Sequence, residues 1–288
     1  MSEGPQGSGR GRSSGVGRAV EAIGRTTYRR LDSWAGLVKF IGGGVYLIGD
    51  TVRWLFKGLR SPEIRFGWEN LWSQMVRVGV KSISIVVLVE VFIGIILALQ
   101  MAPTLKSYGQ IERVADIVAI AMFRELGPLL AGIVLSGFAG ASIAAELGTM
   151  VEGEEIKALR ATALNPIQYL VVPRVVATIV MLTLLTVIAD VVGVFGGFLT
   201  GTQILNIDST VYLSYTRDAI TVTDFITGLI KAAVFGLMIS IIACYEGLSV
   251  SGGAEGVGRA TTGTVVKCIV ALILADVVFT ALFYAFGL

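Results

Sequence analysis

Four ionisable residues lie inside long apolar runs, where charged side chains are rare. They are Glu90, Asp190, Lys231 and Asp276. A charge at the centre of a membrane-spanning helix costs at least ~2.5–3.5 kcal/mol, so each of these residues is by default a candidate for binding an ion, a proton or a polar group of a substrate. If Lys231 pairs with Asp190 or Asp276, both signs of charge lie together in the interior. The pattern indicates polar chemistry inside a membrane.

A second set of residues combines polar and apolar side chains along one helix face. The stripe consists of Leu97, Gln100, Met101, Thr104, Leu105 and Tyr108, which follow helical spacing. Its apolar members suit acyl chains, and Gln100, Thr104 and Tyr108 supply hydrogen-bonding groups. Arg124 and Glu125 precede the next apolar run, where they are expected to meet a phosphate-bearing headgroup or to pair with each other. The stripe predicts a site for an amphiphile; packing against a second copy of the chain is the alternative.

Five apolar runs must position these residues, and each has about the length that a helix needs to cross a bilayer core of roughly 30 Å. The predicted spans cover residues 82–105, 126–150, 175–201, 223–247 and 268–288. Hydrophobic residues make up 54% of the chain and charged residues 15%, whereas soluble domains carry about 25% charge. The predicted fold class is therefore an all-α integral membrane protein.

The N-terminal region differs from the rest in composition and charge. Residues 1–30 form a basic tail rich in Gly, Ser and Arg, which is predicted to be disordered because it cannot bury enough apolar surface to fold. Nucleic-acid binding is the rival interpretation of this tail, but the hydrophobic chain that follows argues against it. Residues 31–80 are predicted to be helices at the membrane interface. A full crossing by residues 34–56 is the alternative.

The distribution of basic residues predicts an orientation in the membrane. Residues 1–81 carry 13 Lys+Arg against 6 Asp+Glu, and the remainder carries 10 against 15. By the positive-inside rule, the N-terminus is expected in the cytoplasm. Five crossings then place the C-terminus on the opposite side of the membrane.

Small residues recur at every fourth position in two of the spans. The second span has Gly132, Ser136, Gly140, Ala144 and Gly148, and the third has Gly193, Gly197 and Gly201. Small residues at this spacing let helix backbones approach closely, which matters because lipid gives helices no hydrophobic reason to associate. Both spans are therefore expected to make tight helix contacts.

Several kinds of chemistry have no support in the residues. The chain contains no histidine, which removes imidazole catalysis and the commonest metal ligand. Cys244 and Cys268 lie in apolar runs without ligand spacing and are expected to pack in the core. A Walker loop is absent because there is no Gly-Lys dipeptide, and the glycines of residues 253–258 predict a tight turn at the inner face. No metal, no cofactor and no ATP hydrolysis are expected on this chain.

Several motifs occur in the order found in the MlaE permease family. They are Arg124-Glu-Leu-Gly-Pro128, Ala144-Ala-Glu-Leu-Gly-Thr-Met150, Glu155-Ile-Lys-Ala-Leu159, Asn165-Pro166 and Pro173-Arg174, and residues 253–262 resemble the family's last cytoplasmic loop. The resemblance covers residues 71–288 and makes residues 81–288 a permease domain. Phe138 departs from it, since the family often has arginine at that position.

The resemblance implies a function and a set of partners. Permeases of this family form homodimers in the inner membrane of diderm bacteria, hold phospholipid between the two protomers and move it between the inner and outer membranes. ATP and Mg²⁺ are expected on a separate cytoplasmic ABC ATPase. An MCE-domain protein on the periplasmic side and, in some systems, a STAS-domain protein are further expected partners. Arg124, Glu125 and Leu126 are expected to join the stripe in binding lipid, and the C-terminus is expected in the periplasm.

A short helix between the second and third spans is implied to couple the permease to its ATPase. It is predicted over residues 154–165, with apolar Ile156, Leu159 and Ala163 on one face, and Asn165-Pro166 is expected to end it. The expected contact residues are Glu154, Glu155, Ile156, Lys157, Leu159, Arg160 and Asn165. A merely solvated loop helix is the alternative at this place. A proton-coupled secondary transporter and a non-transporting membrane scaffold are the alternatives for the chain as a whole.

Overall fold

The computed structural model describes residues 38–57 and 68–287, and all regular secondary structure in these ranges is helical. The predicted disordered tail, residues 1–30, lies outside the described residues, as does part of the predicted interfacial region. Five helical segments are long and apolar enough to cross a membrane, which confirms the predicted all-α membrane fold. They are Trp68–Ser107, Ile111–Glu152, Ile167–Gln203, Val222–Leu248 and Gly253–Phe286.

These segments are built from shorter helical elements. The α-helices are α1 (residues 38–57), α2 (Trp68–Val78), α3 (Ile83–Ser107), α4 (Val114–Ala121), α5 (Gly127–Leu135), α6 (Ala141–Glu152), α7 (Glu155–Ala161), α8 (Val172–Gln203), α9 (Ser209–Ala219), α10 (Val222–Leu248) and α11 (Gly253–Phe286). Three π-helical turns join some of them: Met122–Leu126, Ser136–Gly140 and Ile167–Val171. All five apolar segments lie within one compact unit, Leu47–Leu288.

Helix α1 covers the region for which a crossing was the alternative prediction. Helix α1 is not among the helices that are long and apolar enough to cross a membrane, because Lys39, Asp50 and Arg53 interrupt its apolar residues. The five spans of the predicted fold are therefore those that follow it.

Four of the five segments are several residues longer than the sequence predicts, and the third of them begins at Ile167 instead of residue 175. The first includes α2, the second begins at Ile111 instead of residue 126, and the fifth begins at Gly253 instead of residue 268. The predicted tight turn over residues 253–258 is wrong, since only Gly252 and Gly253 have positive φ angles, of 97° and 68°, and the helix runs on from there. The additional parts of these segments contain charged residues, and several of them form ion pairs, such as Arg77 with Glu146 and Arg124 with Asp224.

Helices α3 and α8 approach each other through glycines. A Cβ on Gly94 would overlap the carbonyl oxygen of Gly193, and one on Gly196 would overlap that of Val91. The predicted close contact of the third span is thus confirmed, with α3 as the partner. In the second span all five small residues are buried, but a Cβ on Gly140 would lie at an ordinary 3.4 Å from Ile239 Cγ2, so that contact is looser.

The two ends of the bundle are closed by different short helices. At one end, called the α9 end here, α3 ends, α4 and α10 begin, and α9 packs on α4 and α8. Asp208 caps α9 by accepting hydrogen bonds from the N–H groups of Thr210 and Val211. The Thr210 hydroxyl and these N–H groups hold the pKa of Asp208 below its usual range. At the opposite end, the α7 end, α7 connects α6 to the third span.

Candidate functional site

Lys231 lies at the centre of a polar cluster in the half of the bundle nearer the α9 end. Its Nζ is 2.6 Å from Glu125 Oε2 and 3.0 Å from Asp276 Oδ1. Lys231 also donates to the Thr280 hydroxyl at 3.2 Å, and this hydroxyl donates to Glu125 Oε1 at 2.9 Å. The Lys231 side chain is 1% exposed, so protein groups compensate its charge. One cation therefore joins α10, α11 and the π-helical turn before α5.

Local backbone geometry brings Glu125 to Lys231. Glu125 lies in the π-helical turn Met122–Leu126, and such turns are frequent at functional sites. On α10, Gly228 lies against the carbonyl oxygen of Phe123, which a Cβ would overlap. The glycine lets α10 approach the π-helical turn closely, and Lys231 follows about one helical turn later.

Arg124, the neighbour of Glu125, is held by a different carboxylate. Its Nε donates to Asp224 Oδ1, so Arg124 and Glu125 do not pair with each other as the sequence had allowed. Asp224 also closes a capping box with Thr221 at the start of α10, where the Thr221 N–H donates to Asp224 Oδ2 at 2.9 Å. Sequence reasoning missed Asp224, although the Thr221-x-x-Asp224 pattern is a recognisable signal for a helix start.

A cavity of about 140 Å³ opens beside these charges. Its lining consists of Arg124, Glu125, Thr227, Thr280, Phe283 and Tyr284. The side chains of Arg124 and Glu125 are 40% and 36% exposed, so both can meet a bound molecule while keeping their partners. The Phe283 ring, whose centroid is 5.8 Å from Lys231 Nζ, gives the cavity an apolar wall next to the charged one.

The predicted amphiphile stripe of α3 does not line this cavity, and its members divide into two groups. Gln100, Thr104 and Tyr108 are exposed, whereas Leu97, Met101, Leu105 and the neighbouring Leu126 are half-buried. Leu97, Leu105 and Leu126 pack on a small apolar core between α3 and α4. Tyr108 is 75% exposed. Within one chain the structure therefore leaves the polar half of the stripe free on the surface.

The four intramembrane charges form two separate groups. Lys231 contacts Asp276, one of the two partners that the sequence had suggested, and Glu125 is an additional partner. Asp190 is not a partner of Lys231. It lies instead one turn before Gly193 on α8, and Gly193 meets Gly94 on α3 one turn after Glu90. The side chains of Glu90 and Asp190 are both buried.

A second ion cluster lies toward the α7 end and was missed as a cluster. Glu146 Oε2 is 2.7 Å from Arg77 Nη1 and 2.9 Å from Arg174 Nη2. Arg174 is 3% exposed, and its Nη1 donates to the Leu170 carbonyl at 2.7 Å. Glu146 and Arg174 both belong to the motifs that resemble the MlaE permease family, and this was the sequence feature that could have indicated the cluster. The cluster fastens α2 and the start of α8 to α6.

The predicted coupling helix is shorter than expected, and its predicted apolar face is not the face that it exposes. Helix α7 ends at Ala161, and Ala163 has φ 61°, so Ala163 is not on its face. Ile156 is buried, and Leu159 is half-buried. Asn165 does not end the helix; its Oδ1 accepts a hydrogen bond from the Ile167 N–H at 2.9 Å and so begins the next one.

The surface of α7 and its flanks is charged. Its exposed predicted residues are Glu154, Glu155, Lys157 and Arg160. Lys157 Nζ is 2.6 Å from Glu154 Oε1, and this pair lowers the pKa of the exposed Glu154 carboxyl. Leu164, just beyond the helix, is 48% exposed and adds an apolar contact point. This end of the molecule therefore presents a compact, mostly polar surface.

No group of three or more Cys, Asp or Glu side chains suited to a metal ion occurs in the described residues. Cys244 and Cys268 are buried and free. The Sγ of Cys268 lies 3.9 Å from the Ile239 carbonyl oxygen. Both thiols therefore pack in the interior.

The chain matches the family model described as Permease MlaE over residues 71–282. It is 42% identical over 214 residues to a probable ABC transporter permease protein of Rickettsia typhi, covering 74% of this chain and 83% of that protein. A probable ABC transporter permease protein of Synechocystis sp. is 35% identical over 212 residues, covering 74% and 81%. The Arabidopsis thaliana chloroplast protein named trigalactosyldiacylglycerol 1 is 33% identical over 238 residues, covering 83% and 66%.

Proposed function

This chain belongs to the MlaE family of ABC transporter permeases, and from that membership we propose that it moves phospholipid between the inner and outer membranes. In this proposal it is the membrane subunit of the transporter, and it binds lipid near the α9 end of the bundle. The hydrolysis of ATP takes place on a separate cytoplasmic ATPase, with its bound Mg²⁺.

The observation that carries the lipid proposal is the charged cavity inside an apolar bundle. Arg124 offers a guanidinium to a phosphate, and Lys231 lies behind Glu125 as a second cation. Phe283 and Tyr284 provide the apolar contact that the start of an acyl chain needs. A charged headgroup inside the bundle requires protein groups of opposite charge, because the surrounding lipid chains offer no such partner.

A homodimer explains why the α3 stripe and the cavity are separate within one chain. A volume of about 140 Å³ is smaller than the ~300–1,000 Å³ of ordinary ligand pockets, so it suits a headgroup and not a whole phospholipid. The exposed Gln100, Thr104 and Tyr108 then line a larger space together with a second protomer. In this arrangement the acyl chains lie between protomers and the headgroup enters the charged cavity.

The opposite end of the bundle is the proposed docking site for the ATPase. The α7 segment is exposed and charged through Glu154, Glu155, Lys157 and Arg160, and Leu164 is an apolar anchor. The buried Ile156 fixes α7 to the membrane domain, so a push on α7 reaches α6 directly. The Glu146 cluster then transmits the displacement to α2 and α8.

The remaining parts of the proposal concern location and partners. The α7 end faces the cytoplasm and the α9 end faces the periplasm of a diderm bacterium, with the chain in the inner membrane. An MCE-domain protein receives or delivers lipid at the α9 end, and a STAS-domain protein is a further partner of the ATPase. The Arabidopsis relative is named after trigalactosyldiacylglycerol, which is a glycerolipid. This name supports a substrate of the glycerolipid class.

Purification of the chain from its native membrane in mild detergent tests the proposal. Mass spectrometry is expected to find a second copy of the chain, an ABC ATPase and bound phospholipid in the same particle. Arg124→Ala should reduce the bound phospholipid without reducing the bound ATPase, because its site is distant from α7. A particle that carries the ATPase but no phospholipid, in the wild type as in the variant, would overturn the lipid assignment.

A further inference from the structure

Glu90 and Asp190 form a pair of acidic side chains that the proposed lipid site does not use. Glu90 on α3 is 0% exposed and Asp190 on α8 is 1% exposed. The two helices are fixed against each other one turn away, where Gly94 meets Gly193.

No cation accompanies this pair within residues 38–57 and 68–287. Both carboxylate oxygens of Glu90 and Oδ1 of Asp190 lack a hydrogen-bond partner there. Among the basic residues of α3, α8 and the elements packed on them, Lys81, Lys106 and Arg217 are exposed, and the others are bound to other carboxylates. Arg77 and Arg174 bind Glu146, Arg113 binds Asp116, Arg124 binds Asp224, and Lys231 binds Glu125 and Asp276.

Two ionised carboxylates are not stable in such a place. An unpaired ion moved out of water loses several kcal/mol of solvation even after relaxation of the protein. Two carboxylates that share a site also repel each other, so the proton affinity of at least one rises strongly. A neutral carboxylic acid avoids both penalties, since it has no charge to solvate.

We infer that Glu90 and Asp190 together form a proton-binding site that retains at least one proton at neutral pH, and that this proton stabilises the packing of α3 against α8. The ligand is a proton taken from water, and the pair carries at most one negative charge. The site is distinct from the proposed lipid cavity, because neither Glu90 nor Asp190 is among the residues that line the cavity.

The place of the pair gives the proton a structural effect. A Cβ on Gly127 would overlap Asp190 Oδ1, so the Asp190 carboxyl lies directly on the backbone at the start of α5. Gly127 comes two residues after Glu125, in the helix that carries the charged cavity. Loss of the proton would put a second negative charge at the junction of α3, α8 and α5 and would loosen that junction.

Thermal unfolding as a function of pH tests the inference on the full-length purified protein. If the folded state binds more protons than the unfolded state, its stability falls as the pH rises. The unfolding temperature of the wild type should therefore fall between neutral and alkaline pH. In the double variant Glu90→Gln with Asp190→Asn, the unfolding temperature should decrease less over the same pH range, because the amide side chains do not titrate. Glu112→Gln, an exposed carboxylate on the α3–α4 connection, is the control and should behave as the wild type.

Infrared spectroscopy gives a readout that does not depend on variant stability. At neutral pH the wild type should show the carbonyl-stretch band of a buried protonated carboxylic acid, and the double variant should lack it. Wild-type spectra without such a band would overturn the inference. So would an unfolding temperature that follows the concentration of sodium or potassium ions instead of pH, since the pair would then bind a metal cation. Identical pH profiles for the wild type and the double variant would overturn it as well.

Discussion

Replacing Lys231 with methionine removes the cation that holds two carboxylates together inside the bundle. Glu125 lies 2.6 Å and Asp276 3.0 Å from its Nζ, and methionine has nearly the same length and no charge. Removing one partner of a buried ion pair costs about 3–5 kcal/mol because the other charge is left uncompensated. Since Glu125 is 36% exposed and Asp276 14% exposed, water screens part of this loss. We therefore expect a loss of about 3 kcal/mol in unfolding free energy, the lower end of that range.

Reversible unfolding of the purified protein in mixed micelles, followed by tryptophan fluorescence, measures this loss. Lys106→Met is the matched control, since Lys106 is exposed in the last turn of α3, and it should change stability little. Adding Glu125→Gln and Asp276→Asn to Lys231→Met should restore much of the stability, because no net charge then remains in the cluster. Equal losses for Lys231→Met and Lys106→Met, or no recovery in the triple variant, would refute the electrostatic reasoning.

Three further outcomes follow from other parts of the structure. Replacing Glu154 and Glu155 by lysine should abolish ATPase stimulation in the purified complex while leaving the unfolding temperature unchanged, and normal stimulation would contradict the docking assignment. Gly94→Ala should destabilise the protein by about 1–3 kcal/mol through overpacking, whereas Gly137→Ala, with open space around it, should be neutral; equal stabilities would argue against the α3–α8 contact. Arg174→Met should cost about 1.5–3 kcal/mol, the value of a charged hydrogen bond, and the exposed Arg160→Met should cost much less in the same unfolding assay.

The number of spans was predictable from the sequence, but their ends were not. Apolar runs of membrane-spanning length are visible in any hydropathy profile, and five of them appear as helices. Arg124 and Glu125 were expected at the start of the second span, yet they lie within a continuous helical segment that begins at Ile111. Their partners, Asp224 and Lys231, are 100 and 106 residues away, and no local pattern predicts such contacts.

The residue types of the candidate site were predictable, and their pairing was not. Lys231 and Asp276 stood out because charges are rare in apolar runs, and they do meet. Asp190 stood out for the same reason, but it lies where α8 packs on α3, the helix that carries Glu90. Which residues Asp190 approaches depends on which faces of α3 and α8 meet, and the Gly94–Gly193 contact shows those faces.

In the coupling segment, the apolar spacing in the sequence did not predict which residues are exposed to a partner. Ile156, Leu159 and Ala163 have the spacing of one helix face, which predicted an apolar face for a partner. In the structure Ile156 is buried against the chain's own membrane domain, and Ala163 has left-handed backbone geometry, with φ 61°. An amphipathic pattern does not distinguish burial within the protein from burial against a partner.

Site-specific photocrosslinking tests the lipid-binding claim most directly. A photoreactive residue is placed at Phe283 in the cavity, at Gln100 on the stripe and, as a control, at Phe92, which is 55% exposed on the outer surface of α3. After the complex is purified in detergent and loosely bound lipid is washed away, illumination and mass spectrometry identify the labelled molecules. The proposal predicts phospholipid at Phe283 and Gln100 and little at Phe92. Phospholipid at Phe92 as often as at the other two positions, or at none of the three, would contradict a specific lipid site.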